Sequence, residues 1–228
     1  KFKIGLNLLS YIRRDLMVIT LLTDNPNSWI IPYVKEIKDE LNSMGHTVYF
    51  VDSCEHIKEG ELAFFLGCEK IIPNSYLKLN KHNLVVHESR LPEGKGWSPL
   101  TWQVLEGKNE IPITLFEAAE KVDSGDIYFQ DTIKLDGTEL LPKIKDMQGK
   151  VTKKLVLEFV NKYPNVKGRK QEGQESFYRR RTQKDSELDI KKSIEEQFNL
   201  LRVVDNERYP AFFIKNGKKY IIKIYEGD

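Results

Sequence analysis

The feature that most constrains the fold is a short unbroken apolar run, LMVITLL, from Leu16 to Leu22. A run without polar alternation suits a strand covered on both faces, and such strands belong to parallel sheets flanked by helices. It is far shorter than the ~20 residues needed to cross a bilayer, so no membrane span is expected. Next comes the turn-rich TDNPNSW, and then Ile30, Tyr33, Val34, Ile37, Leu41 and Met44 keep the three-and-four spacing of a helix with one buried face. Gly45 is expected to stop that helix. HTVYFVD reads as a second strand, SCEHIKEGE as a charged helix-like connector and LAFFLG as a third strand. This order implies a parallel, Rossmann-like α/β sheet with right-handed crossovers.

Glu69 to Leu79 reads as a short helix and loop, and NLVVHES as a fourth strand whose end delivers His87 and Ser89. Ligands in such sheets bind at the carboxyl ends of strands. SPLTWQVLEGKNE suggests a helix closed by Gly107, IPITLFEAA a strand, and VDSGDIYFQDTIKL a turn and strand. A long helix follows, with Leu140, Ile144, Met147, Val151, Leu155 and Phe159 on one stripe and Thr138 as its N-cap. After Pro164, NVKGRKQEGQE has no apolar periodicity and reads as a linker or mobile loop. Residues 1–164 are therefore expected to form the main α/β domain. Residues 165–228 are expected to form a small α+β appendage, with a helix in IKKSIEEQFNLLRVV and a hairpin turning at Asn216-Gly217. The hairpin's edge offers a surface for a homodimer.

Composition narrows the function. Thirty-six Lys+Arg against 34 Asp+Glu leave a formal charge of +2, which argues against a nucleic-acid binder relying on a basic field. Only Cys54 and Cys68 are present, too few for a disulfide framework or a thiolate zinc site, so a reducing cytoplasm is expected. The basic and apolar start, KFKIGLNLLSYIRR, has no small-residue cleavage site and is not read as a signal peptide. No metal-ligand spacing occurs. His46, His56 and His82 read as surface residues, and Cys68 as an inert buried thiol.

The chemistry-bearing stretch is VVHESRLPEGKGWSPLTWQVLEGKNEIPITLFEAAEKVDSGDIYFQ. It places a histidine at a strand end, then a Pro/Gly-punctuated loop, a helix, a strand and an acidic turn with Asp123 and Asp126. A carboxylate-oriented histidine can carry a proton or stabilise an oxyanion. The same residues also fit a structural histidine and a self-capping turn. GKGW is no phosphate-binding P-loop. Arg179, Arg180 and Arg181 suit either a substrate phosphate or a solvated charged segment balanced by Asp185, Glu187 and Asp189. Trp97, Tyr209, Phe212 and Phe213 suit either base stacking or core packing.

HESRLPEGKGWSP followed by ITLFEAAEKVDSGDI resembles the H-x-S-L-L-P and V-D-x-G signatures of formyltransferases that use 10-formyltetrahydrofolate. The similarity runs from about Ile71 to Leu135, and the tail is similar to that of the sugar and methionyl-tRNA members. The resemblance implies attack of a substrate amine on the formyl carbon, a tetrahedral intermediate, and release of a formamide and tetrahydrofolate. By motif position His87 would stabilise the oxyanion and move protons, and Asp123 would hold that histidine or accept the amine proton; Asp126 reads as a turn cap. The pterin pocket would be formed by Phe65, Leu66 and Gly67 together with Ala118, Ala119, Glu120, Lys121 and Val122. Ser89, Arg90, Gly94, Lys95, Trp97, Arg180 and Arg181 would contact the acceptor.

The short tail and small net charge favour a nucleotide-linked amino sugar as partner. Another amine, on aminoacyl-tRNA or a carrier-bound aminoacyl group, is the alternative, as is a catalytically silent folate-binding relative. One position departs from the family: the asparagine two residues before the histidine is Val85 here. Asn83 shares that strand face but, at ~3.3 Å per residue, lies about 13 Å from His87. Asn74 and Ser89 are the other candidates for the missing donor.

Overall fold

The computed structural model describes residues 16–227. Leading from the N-terminal side, β1 (Val18–Leu22), α1 (Ile31–Ser43), β2 (Thr47–Val51), β3 (Gly60–Phe65), α2 (Asn74–Leu77) and β4 (Asn80–His87) build the first half. Then come β5 (Lys95–Gly96), α3 (Pro99–Leu105), β6 (Glu110–Glu117), β7 (Ile127–Lys134) and α4 (Leu141–Lys162). The tail holds β8 (Phe177–Tyr178), α5 (Phe198–Arg202), β9 (Ala211–Lys215) and β10 (Lys218–Ile222).

The six-stranded sheet has the order β2-β1-β3-β4-β6-β7. Strand β1 is parallel to β2 and β3, and β3 is parallel to β4. The purely parallel expectation fails beyond β4, because β4–β6 and β6–β7 are antiparallel. From His87 the chain runs through the loop and α3 without crossing back to the other end of the sheet. It therefore re-enters from the end it left, and β6 must run against β4. The connector between β2 and β3 is likewise not a helix but one 3-10 turn, Cys54–His56.

Strand β1 is the hub, with Ile19, Leu21 and Leu22 fully buried. Helix α1 lays Val34, Ile37 and Leu41 on the sheet. Helix α4 buries Ile144, Leu155, Val156 and Phe159, with Met147 and Val151 partly covered. Burying side chains of this size is worth about 1.5–3 kcal/mol each. Thr138 does not cap α4: the cap position is Leu140, and the Thr138 hydroxyl donates to Asp136 at 2.6 Å. A proline in the first turn, with its φ already helical, starts the helix instead.

Of the histidines expected at the surface, His46 is buried and His82 half-buried. The His46 Nδ1 accepts from the Met17 N–H at 3.3 Å. His82 lies in β4 with its Nδ1 2.9 Å from Glu117, whose same carboxylate oxygen accepts from the Tyr128 hydroxyl at 2.8 Å. Burial, reinforced by the Glu117 charge, raises the Tyr128 pKa well above that of free tyrosine. His56 is exposed, as expected.

In the tail, the hairpin turns where the sequence places it. Asn216 and Gly217 both take positive φ, at 50° and 75°, the pair a tight two-residue hairpin requires. The IKKSIEEQFNLLRVV stretch forms only a 3-10 turn at Glu195–Gln197 and the short α5. Arg202, 1% exposed, ties α5 to the sheet domain through the Glu139 carboxylate and carbonyl and through Asn109. Among the described residues no helix is long and apolar enough to cross a membrane.

Helices α1 and α4 cross where Gly149 faces Tyr33, and a Cβ on Gly149 would lie 2.5 Å from the ring. Alanine normally helps a helix interior by about 1 kcal/mol. Here overpacking should win, and Gly149→Ala is expected to destabilise by about 1–3 kcal/mol. Urea unfolding midpoints will check this; an unchanged or raised midpoint would contradict the packing argument.

Candidate active site

His87 ends β4, paired with Thr114 of β6, and is 8% exposed. Its Nε2 lies 2.9 Å from the Gly94 carbonyl. A carbonyl can only accept, so Nε2 carries the proton and donates. The Asp123 carboxylate is 3.8 Å from the same nitrogen and accepts the Gly96 N–H at 2.9 Å. Two backbone positions make this possible. A Cβ on Gly125 would lie 1.8 Å from the Glu117 carbonyl oxygen, so the V-D-x-G turn can close only with glycine there. Gly96 has φ +95° and sits against the Tyr178 backbone, where a Cβ would lie 2.5 Å from the carbonyl oxygen.

The stretch after Pro164 does not hang free as a linker; it is hydrogen-bonded along the loops that carry Gly94 and Asp123. Arg169 exchanges two backbone hydrogen bonds with Ile127. The Gln171 amide donates to the carbonyls of Asp123 (3.0 Å) and Gly125 (2.9 Å). Ser176 Oγ accepts the Gly94 N–H at 2.8 Å, and β8 pairs in parallel with β5. Lys95, 1% exposed, is neutralised by Glu175 at 2.6 Å, and Glu175 also takes Lys121 at 3.1 Å.

Beside His87 and Asp123 opens a cavity of about 540 Å³. Neighbouring side chains of a strand point to opposite faces, and the cavity uses both. Val85 packs with Phe65, Ile72, Leu77 and Ala118 on one side. Val86 packs with Trp29 and the α1–α4 core on the other. The first side is apolar. The second carries Glu88, Lys145 and Thr152.

Lys145 Nζ lies 4.3 Å from the centre of the Trp29 ring and donates to Gln148 Oε1 at 2.9 Å. Gln148 in turn donates its amide N–H to Glu88. Burial pulls the Lys145 pKa down to about 8, against the opposing pull of the Glu88 and Asp205 charges. On the cavity wall, burial pushes the Cys68 thiol up to about 12, in keeping with the inert thiol read from the sequence.

The sequence profile of the formyl transferase family matches residues 42–160 of this chain. The chain belongs to that family. Methionyl-tRNA formyltransferase of Caldicellulosiruptor saccharolyticus is 28% identical over 169 residues, covering 73% of this chain and 53% of its own length. The chain thus spans about half the length of the curated relatives it matches. Among solved structures, methionyl-tRNA formyltransferase from Clostridium thermocellum superposes with TM-score 0.73 at 25% identity, over 92% of this chain and 99% of that one. A sugar N-formyltransferase from a Shewanella species gives 0.61 at 16% identity, over 91% and 97%, a likeness of fold.

The expected site residues divide. Phe65, Leu66, Gly67, Ala118, Ala119 and Val122 line the cavity, as do His87 and Asp123. Trp97, Arg180 and Arg181 do too. Arg180 stacks over Trp97 at 4.6 Å and reaches 3.8 Å from Glu69 across the mouth. Arg181 donates to the Val203 and Asp185 carbonyls, and Arg179 to the Asp185 carboxylate. That guanidinium holds Asp185 well below the usual carboxylate range.

Six expected contacts fall outside the cavity. Glu120 and Arg90 are exposed, and Lys121 is held by Glu175. Ser89 is buried, and its carbonyl accepts from Thr114. Gly94 is held by Ser176 and His87, and Lys95 is held by Glu175. Asp126 pairs with Lys170 at 2.8 Å. Phe212 is core and Phe213 packs against the tail's own cluster, whereas Tyr209 lines the cavity. None of the three candidates for the missing donor reaches the cavity. Asn74 is exposed, Ser89 lies behind the loop, and Asn83 donates its side-chain amide to the Leu77 carbonyl while its backbone carbonyl accepts the Ala118 N–H.

Glu88, Lys145, Gln171 and Glu175 were not anticipated. A signal existed for the Lys145 group, because Gln148 and Thr152 occupy the buried stripe of α4, where polar side chains need a reason. Competitive labelling with acetic anhydride should show Lys145 acylating along a curve with its midpoint near pH 8, read peptide by peptide by mass spectrometry. A midpoint above 10, like an ordinary lysine, would remove the burial effect.

Proposed function

We propose that the protein transfers a formyl group from 10-formyltetrahydrofolate to an amine, and that the acceptor is a nucleotide-linked amino sugar. The observation that carries the reading is the convergence of His87 and Asp123, from two strand ends, on the rim of a cavity with one apolar and one polar side. The apolar side fits the donor: Phe65, Leu77, Val85 and Phe116 offer flat, dry walls, and the backbone of 118–122 offers hydrogen-bonding groups to a heterocycle. When bound there, the donor supplies the electrophilic formyl carbon.

The remaining steps belong to the chain's own side chains. The Nε2–H of His87, already a donor, can turn from the Gly94 carbonyl to the formyl oxygen and meet the charge that develops there. Asp123, 3.8 Å away, stabilises the protonated ring and lies close enough to take the amine's proton directly or through a water. Its orientation is fixed by the Gly96 N–H and not by the histidine, so the carboxylate remains in place when the imidazole moves. Val85 adds shape but no hydrogen bond, which leaves the oxyanion to His87.

The formal charge of only +2 supports a small acceptor over a tRNA. The names of the curated relatives favour the second reading, transfer to methionyl-tRNA. Release of tetrahydrofolate, measured with nucleotide-linked amino sugars in parallel with charged initiator tRNA, separates the two.

His87→Ala and Asp123→Asn are each expected to lower kcat by about 100-fold or more while tetrahydrofolate binding persists. Near-normal turnover in either variant would remove that residue's role. Val85→Asn should change kcat only a few-fold; a gain of two orders of magnitude would mark the natural chain as a nearly silent relative.

A further inference from the structure

Glu88 and Lys145 line the cavity on which His87 opens, yet they do not pair with each other. Gln148 stands between them, accepting from Lys145 and donating to Glu88. An ammonium only donates and a carboxylate only accepts, so the orientation of this amide is fixed by its partners. Gln148 is 4% exposed, which holds the three groups in one arrangement. Opposite charges this near would satisfy most of their needs by direct contact. Spaced by an amide, they keep capacity over: Glu88 has one carboxylate oxygen that no hydrogen bond uses, and Lys145 has N–H groups beyond the one given to Gln148. Partly desolvated charges held short of protein partners are completed by water or by a ligand that matches them.

The arrangement is unlike an anion site, since a phosphate drawn to Lys145 would meet Glu88. It fits a ligand that presents a donor and an acceptor side by side. We propose that Glu88 and Lys145, bridged by Gln148, recognise the acceptor as an amine with an oxygen on the neighbouring carbon, Glu88 accepting an amine N–H and Lys145 donating to that oxygen. Donation of one N–H to Glu88, on the polar side of the cavity that His87 also lines, leaves the nitrogen lone pair free to face the formyl carbon. The pair thus acts in acceptor recognition, and Gln148 is a positioning residue. The inference rests on the formyl-transfer reading and adds the acceptor's local chemistry.

The test uses the full chain with 10-formyltetrahydrofolate and nucleotide-linked sugars that carry an amine beside a hydroxyl, together with their deoxy analogues lacking that hydroxyl. Glu88→Gln is expected to raise the acceptor KM at least tenfold, and Lys145→Met to erase the preference for the hydroxyl-bearing sugar. The tetrahydrofolate Kd, read by tryptophan fluorescence, should stay within twofold in both and so certifies folding and the donor side. Gln148→Leu should reproduce both defects in weaker form, and Glu88→Asp should recover part of the Glu88→Gln loss. Wild-type transfer with KM unmoved in Glu88→Gln, or a hydroxyl preference kept by Lys145→Met, overturns this proposal and leaves formyl transfer standing. A variant that loses tetrahydrofolate binding is replaced by Glu88→Asp or Lys145→Arg, each expected to raise KM severalfold, and an unmoved KM there overturns it equally. No transfer by the wild type to any amine offered overturns both readings.

Discussion

The site depends on one hydrogen bond between two loops that leave different strands, the Gly96 N–H to the Asp123 carboxylate. It fixes a charged group within reach of His87 without tying it to the histidine, and a charge-assisted bond from backbone to carboxylate is among the stronger kinds available. Its geometry is set from both ends. Gly125 allows the Asp123 turn to press against the Glu117 carbonyl, and Gly96 allows its own strand to press against Tyr178. Neither loop could adopt its path with a side chain at those positions.

Strand β6 runs away from the His87 end of β4, and the loop after Glu117 folds back to bring Asp123 to the histidine. The two faces of β4 give the cavity its two characters. Two partly buried polar groups lie on the α4 side of the sheet. The Glu117–His82–Tyr128 group braces the sheet beneath the turn, while the Glu88–Gln148–Lys145 group faces the cavity.

Much of this was legible in the sequence. The LMVITLL strand, the α1 stripe, the α4 stripe and the Asn216-Gly217 hairpin follow from local periodicity and turn chemistry, and they stand in the structure. His87 and Asp123 were legible because the motif keeps them in order across a loop, a helix and a strand. What local reading missed is long-range. The strand direction after β4 is a property of the path and not of the IPITLFE residues. The Lys95–Glu175 pair spans 80 positions, and a stretch as polar as NVKGRKQEGQE gives no hint of docking because its bonds run through backbone and amides. His82 read as a surface residue because its flanks are polar, while its partners Glu117 and Tyr128 come from other strands.

The course of residues 165–178 also bears on when the site comes into being. The sheet and α4 are complete in the chain up to Lys162, so a nascent polypeptide can fold them as soon as that length has emerged. The bonds from Gln171, Glu175 and Ser176 that clamp the His87 and Asp123 loops are encoded only afterwards. A scaffold can therefore be in place before the clamps that close the cleft.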